Sequence, residues 1–190
     1  MRSLVVVAAL ATACSSLGPV TPVRPDSPYD LPVVSGASYL GVIFPAEQAE
    51  DTVKFLGLQA SHYWTPTPDE IKKCEAQLRQ ALELGAQEPE RLDRWSVGKP
   101  QRRAYVAREI GEILVHYSEY RRQYVGIVTT NGAKRIVLSS FPGHRGAGED
   151  GFSDWRQRFV VVHDGGFWYW RIQYEPESGQ YLDFDSNGYA

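Results

Sequence analysis

Thiols are almost absent from this chain: of its 190 residues only Cys14 and Cys74 are cysteine. A disulfide framework and a cysteine-rich zinc site are thereby excluded. The four histidines, His62, His116, His144 and His163, follow no HExxH or other metal-ligand spacing, so no metal or other cofactor is expected. An excess of positive charge is also missing, with 20 Lys and Arg against 23 Asp and Glu for a net charge of −3. Nucleic acid, which needs a basic footprint, is not an expected partner. Basic residues do outnumber acidic ones between Arg102 and Arg171, but they alternate along expected strands and read as solvated surface. No apolar run approaches the roughly 20 residues of a membrane-spanning helix. Nor is there a Gly-x-Ser-x-Gly elbow, a phosphate-loop ending or a kinase set, so no motif names a reaction.

What the chain does have begins at its first residues. Arg2 supplies a positive charge, residues 4–10 a short apolar run, and Ala11, Thr12 and Ala13 small residues ahead of Cys14. These are the parts of a secretory signal, expected over residues 1–13. Ser15 and Ser16 follow, then prolines at 19, 22, 25, 28 and 32, whose rings hold the backbone extended. Residues 14–37 therefore read as a semi-rigid tether. Residues 38–190 are one domain's worth of chain, long enough to bury a core without staples.

The opening segment resembles a bacterial lipoprotein signal, in which the cysteine after a small residue receives lipid and becomes residue one. The resemblance covers residues 1–16. It implies a membrane anchor at Cys14 in the cell envelope and, with Ser15 rather than Asp beside it, delivery to the outer membrane on the periplasmic side. Ala11 stands three before the cysteine, where leucine is commoner. Ala11, Thr12 and Ala13 equally satisfy ordinary signal cleavage, which leaves a soluble secreted protein beginning at Cys14 as the alternative.

Within the domain, residues 39–44 read as a strand ended by Pro45, and residues 46–66 as a packed loop with one helical turn. Thr67, Pro68, Asp69 and Glu70 form a capping-box start. Ile71, Cys74, Leu78, Ala81 and Leu82 then mark one helical face, with Glu75 and Arg79 paired outside and Gly85 as the stop. Cys74 on that stripe reads as a small core residue. A second helix is expected over residues 102–117. Thereafter the period becomes two: strands over 123–130 and 133–141 flank Asn131-Gly132, a type I′ hairpin signal. Strands over 156–163, 167–175 and 180–185 complete an antiparallel meander, with Trp168, Trp170, Ile172 and Tyr174 on its covered face. The expected fold is α+β, two helices on a curved antiparallel sheet of four to five strands, in outline like a cystatin or NTF2-like domain.

Four strings resemble an uncharacterised group of bacterial envelope proteins: residues 63–67 (YWTPT), 120–126 (YRRQYVG), 164–166 (DGG) and 187–190 (NGYA). The resemblance spans residues 60–190 and implies a shared fold, with no known activity.

Candidate site residues come from aromatic density and from loops. Tyr63, Trp64, Trp155 and Tyr169 combine apolar area with polar tips and would suit a glycan, a peptide or a partner face. Trp168 and Trp170 read as structural, with Tyr169 exposed. His144 lies in a glycine-rich loop, within residues 142–154, expected to edge a binding site. His163 and Asp164 stand at a strand end, where an imidazole beside a carboxylate would serve as acid or base. Asp183 to Gly188 match the first half of a calcium loop, but the glutamate that would complete it is missing. The expectation is a lipid-anchored binding or structural-interaction module of the envelope, with an envelope protein, peptide or glycan as partner. The rival is an envelope hydrolase using His163 and nearby carboxylates.

Overall fold

The computed structural model describes residues 31–143 and 152–189; the signal, Cys14, His144 and most of the tether lie outside them. Among the described residues seven strands form one sheet: β1 (Val33–Gly36), β2 (Tyr39–Phe44), β3 (His62–Trp64), β4 (Tyr120–Val128), β5 (Lys134–Pro142), β6 (Trp170–Glu175) and β7 (Gln180–Ser186). Their order is β1-β2-β4-β5-β6-β7, with β3 also pairing with β4. Helix α1 (Ala46–Phe55) joins β2 to β3, and α2 (Pro68–Gln87) and α3 (Pro100–Val115) precede β4. The class is α+β as expected, with three helices instead of two and seven strands instead of four or five. The sheet takes in β1, so the folded unit reaches back into residues assigned to the tether.

One pairing departs from the antiparallel pattern. β2 lies parallel to the first half of β4, Leu40 opposite Arg121 and Phe44 opposite Val125, while β3 lies antiparallel along the second half of the same edge. A parallel pair needs a long crossover, and the α1–β3–α2–α3 stretch supplies it. β3 approaches so closely at Gly126 that a Cβ there would stand 2.2 Å from the Trp64 carbonyl oxygen.

Both sheet faces are packed, where only one was expected to be covered. On the helical face, α2 and α3 bury Ile71, Cys74, Leu78, Ile110 and Ile113 against Tyr124, Leu138, Trp170 and Ile172. On the opposite face, Ala49 and Val53 of α1 and Trp155 cover Val42, Phe44, Val125 and Phe141. Strands buried on both faces lose their alternation, which is why β2 and the middle of β4 read as continuous apolar runs.

Local signals hold where they are self-contained. Thr67 Oγ1 accepts from the Glu70 N–H at 3.3 Å while Glu70 Oε2 accepts from the Thr67 N–H at 2.8 Å, completing the capping box. Other expectations change. Residues 46–55 form a ten-residue helix rather than a packed loop with one turn. Gly85 does not stop α2; it lets Leu92 pack against the helix, where a Cβ would stand 2.3 Å from Leu92 Cδ1. Residues 156–163 turn and extend across the sheet without joining it: Gln123 Nε2 donates to the Trp155 and Arg158 carbonyls, Gln123 Oε1 accepts from the Val160 N–H, and the Arg156 carbonyl accepts from the Leu31 N–H outside any strand. The β4–β5 turn is a three-residue loop closed by the Gly132 N–H on Thr129, with φ of 89° at Gly132 and no left-handed Asn131, instead of a type I′ turn.

Candidate functional site

Helix α1 covers the β2–β4 half of its face and leaves the β5–β6–β7 half open. The exposed floor there is polar, because Arg135, Arg171, Gln173, Asp183 and Asp185 point away from the helices. Two hollows occupy it. The larger, about 660 Å³, lies between Leu56–Gln59 after α1, the 129–131 turn and a 3-10 turn at Arg94–Ser96. The smaller, about 310 Å³, runs on past Ser139 to Val162, His163, Tyr169 and Asn187. Arg171 and Asp185 line both, so the two form one trough in the size range of ligand sites.

A bulge sets the trough's chemistry. Between Arg171 and Gln173 the register with β7 slips by one residue, and Asp183 takes a φ of 52°, the one positive φ among described non-glycine residues. The slip lets Tyr181 and Phe184, three residues apart, both enter the helical core while Asp183 and Asp185 both face the trough. Arg135 Nη1 donates to Gln173 Oε1 at 3.1 Å and to Asp183 Oδ2 at 3.2 Å. Arg94 Nε lies 3.4 Å from Asp183 Oδ1, and Arg171 Nη2 pairs with Asp185 Oδ2. At the rim, the buried Asp93 carboxylate accepts from the Trp95 N–H at 2.9 Å and pairs with Arg102. This holds an indole that is 59% exposed beside the hollow.

The expected residues divide. His163 and Tyr169 line the smaller hollow, and Asp164 stands next to them at the surface. Tyr169 is half-buried instead of exposed and meets Phe152 edge-on at 6.2 Å; burial, then the Asp164 charge, pushes its phenol up. The other three are elsewhere. Tyr63 packs into the core beneath α1, and Trp64 crosses to the helical side, donating Nε1–H to the Ile127 carbonyl at 3.1 Å under the Lys134 ammonium. Trp155 is buried against Phe141. Trp170 and Trp168 are both structural as expected, but Trp168 packs against the core from a 3-10 turn before β6, where it contacts His116 and Tyr120, and not from the strand. His163 meets the ring of Phe55 at 5.6 Å, and among the described residues no carboxylate hydrogen-bonds to it.

Neither family models, curated proteins nor solved structures match this chain. Its site is therefore described by its residues alone.

Reading the sequence missed most of the trough. The alternation of Arg171 and Gln173 in one strand and of Asp183 and Asp185 in the next was a visible signal of a polar strand face. Trp95 and Leu56–Gln59 carried none, being brought to the rim by chain segments far apart in sequence.

Proposed function

We propose that this protein is a lipid-anchored envelope protein, held at the outer membrane through Cys14, that acts as a binding module through the trough over β5–β7. The observation that carries the binding reading is the trough itself: an unroofed, polar, two-signed surface on a rigid sheet, where every neighbouring strand face is packed. Groups fixed on strands and paired to one another are held in place before a ligand arrives. The anchor is supported by the residues around Cys14 and by the proline-rich tether, which would keep the domain clear of headgroups. Likeness in outline to cystatin or NTF2-like domains adds nothing about function. The rival hydrolase would need a carboxylate within hydrogen-bond reach of His163, and among the described residues the ring contact of that imidazole is to Phe55.

Two measurements test this. A photo-crosslinking residue at Gln59, on the trough rim, is expected to give a defined adduct with envelope components, whereas one at Val115, exposed at the end of α3, is not. Equal labelling at both positions, or none at Gln59, removes the binding reading. For the anchor, intact mass of the mature N-terminus is expected to show acylation, and Cys14→Ala to move the protein out of the detergent phase. A Cys14→Ala protein that still partitions with membranes refutes it.

A further inference from the structure

Resting on the trough as the binding site, we infer that its ligand is a neutral oligosaccharide, laid lengthwise across the Arg171–Asp185 pair. The first argument is charge. Each arginine lining the trough already faces a carboxylate: Arg94 and Arg135 face Asp183, Arg171 faces Asp185, and Arg102 faces Asp93. An anion that reaches one of these cations also meets the aspartate paired with it, a repulsion that a neutral ligand does not face. A neutral ligand uses what the pairs leave over.

What they leave over is a dense mixture of donors and acceptors. A guanidinium carries five N–H donors and a carboxylate about four lone-pair sites, and one or two contacts satisfy only part of either. Gln173, buried beneath them, accepts from Arg135 and holds that guanidinium in place. A sugar hydroxyl is at once donor and acceptor, so adjacent hydroxyls of one ring can bridge an arginine and its aspartate without separating them.

The second argument is the kind of surface. An extended peptide gains affinity by adding main-chain hydrogen bonds to a free sheet edge. The trough floor is a sheet face: β5 and β6 are paired along both edges, and on the outer edge of β7 the Phe184 N–H is already given to the Leu92 carbonyl at 2.8 Å. A saccharide needs no ladder.

The third argument is the rim. Trp95 is 59% exposed beside the larger hollow, with Arg94 over its ring at 5.1 Å, and Tyr169 and His163 line the far hollow. Flat rings at both ends of a polar floor suit the C–H faces of pyranose rings, an apolar surface edged with hydroxyls. The hollows of about 660 and 310 Å³, joined end to end, accommodate several rings in a row.

The test is a titration of the full mature chain, 15N-labelled, with the neutral tetraoses of glucose and of N-acetylglucosamine, with a tetragalacturonate, and with an unstructured peptide of mixed sequence. At least one neutral tetraose is expected to shift amides of residues 56–59, 94–95, 135, 171–173 and 183–187 in a saturable way. Trp95→Ala and Asp185→Asn, both at solvent-facing positions, are each expected to weaken it about tenfold or more while leaving the rest of the spectrum unchanged. Saturable binding of the acidic tetraose or the peptide alone overturns the neutral-glycan inference and leaves the trough standing as a binding site. If no neutral tetraose gives saturable shifts, the inference likewise fails. The crosslinking at Gln59 decides separately whether the trough binds anything.

Discussion

Arg122 is a costly residue to bury. Its side chain is 0% exposed, beneath α2, and its charge is answered by Glu75, whose Oε1 lies 3.1 Å from Arg122 Nε. Tyr124 donates its hydroxyl to the same carboxylate oxygen at 2.7 Å, and the Tyr117 ring lies 4.7 Å from the guanidinium carbon. Glu75 was expected on the outside of α2, paired with Arg79; instead Arg79 pairs with Glu83 at the surface and Glu75 turns inward. Two buried charges lose hydration that their attraction barely repays, yet removing one strands the other. Glu75→Ala is therefore expected to lower stability by about 3–5 kcal/mol, read as a fall in the urea midpoint. A loss no larger than that of an exposed Glu83→Ala control would contradict the pairing. Burial pushes the Glu75 carboxyl above its ordinary value, against the opposing pull of Arg122 and Tyr124. Between the ordinary and the raised value the folded chain holds a proton that the unfolded chain has released, so this group's contribution to stability declines as pH rises through that window. Glu75→Gln should flatten that decline; identical pH profiles for the two proteins would count against it.

At the scale of elements, what a segment does alone was legible and what it does through neighbours was not. The start of α2 could be read because Thr67, Pro68 and Glu70 solve the helix-end problem among themselves. The C-terminal end of α2 could not, since Gly85 is explained by Leu92 from a later turn. Helix α1 was hidden because only Ala49, Thr52 and Val53 are buried, a stripe too thin to show a period. The string Tyr120-Arg121-Arg122-Gln123 gave no sign of which arginine is interior; register against β2 and β5 decides it. Among the described residues β3 is a short strand with a single strand partner. It is held to β4 through three paired residues, over a glycine with no room for a side chain. Gly126→Ala is expected to destabilise the protein by about 1–3 kcal/mol and to speed amide exchange in β3 before any other strand. Unchanged exchange at Tyr63 and Trp64 would show that the backbone yields there instead.

Across the whole molecule, the same sheet serves two purposes because its two faces are covered unequally. α2 and α3 roof the helical face, α1 and the 152–163 segment roof half of the other, and the remaining half is the trough. The chain's last residues secure its far end: the Asn187 amide donates to the Asp164 carbonyl at 2.9 Å, and the Tyr189 hydroxyl to the buried Glu109 carboxylate at 3.0 Å. β1 and β2 form a local hairpin, as do β4 with β5 and β6 with β7, but a two-stranded hairpin is marginal alone and this first one joins the sheet only by finding β4 across the α1–β3–α2–α3 stretch. Closing near contacts costs less chain entropy than closing distant ones. In pulsed hydrogen exchange during refolding, amides of the β4–β5 hairpin are expected to gain protection before those of β1 and β2. The reverse order would place the nucleus in the N-terminal strands.

The parallel pairing of β2 with β4 also has a meaning in time. A ribosome delivers Leu40 well before Arg121, its partner. At roughly 5–20 residues per second, the apolar run Val42-Ile43-Phe44 waits on the order of ten seconds for the strand that will cover its edge. Throughout that interval it is an unsatisfied template on which another chain could add. Residues 42–44 are thus a segment that a chaperone would have reason to shield, although in the finished structure they are buried.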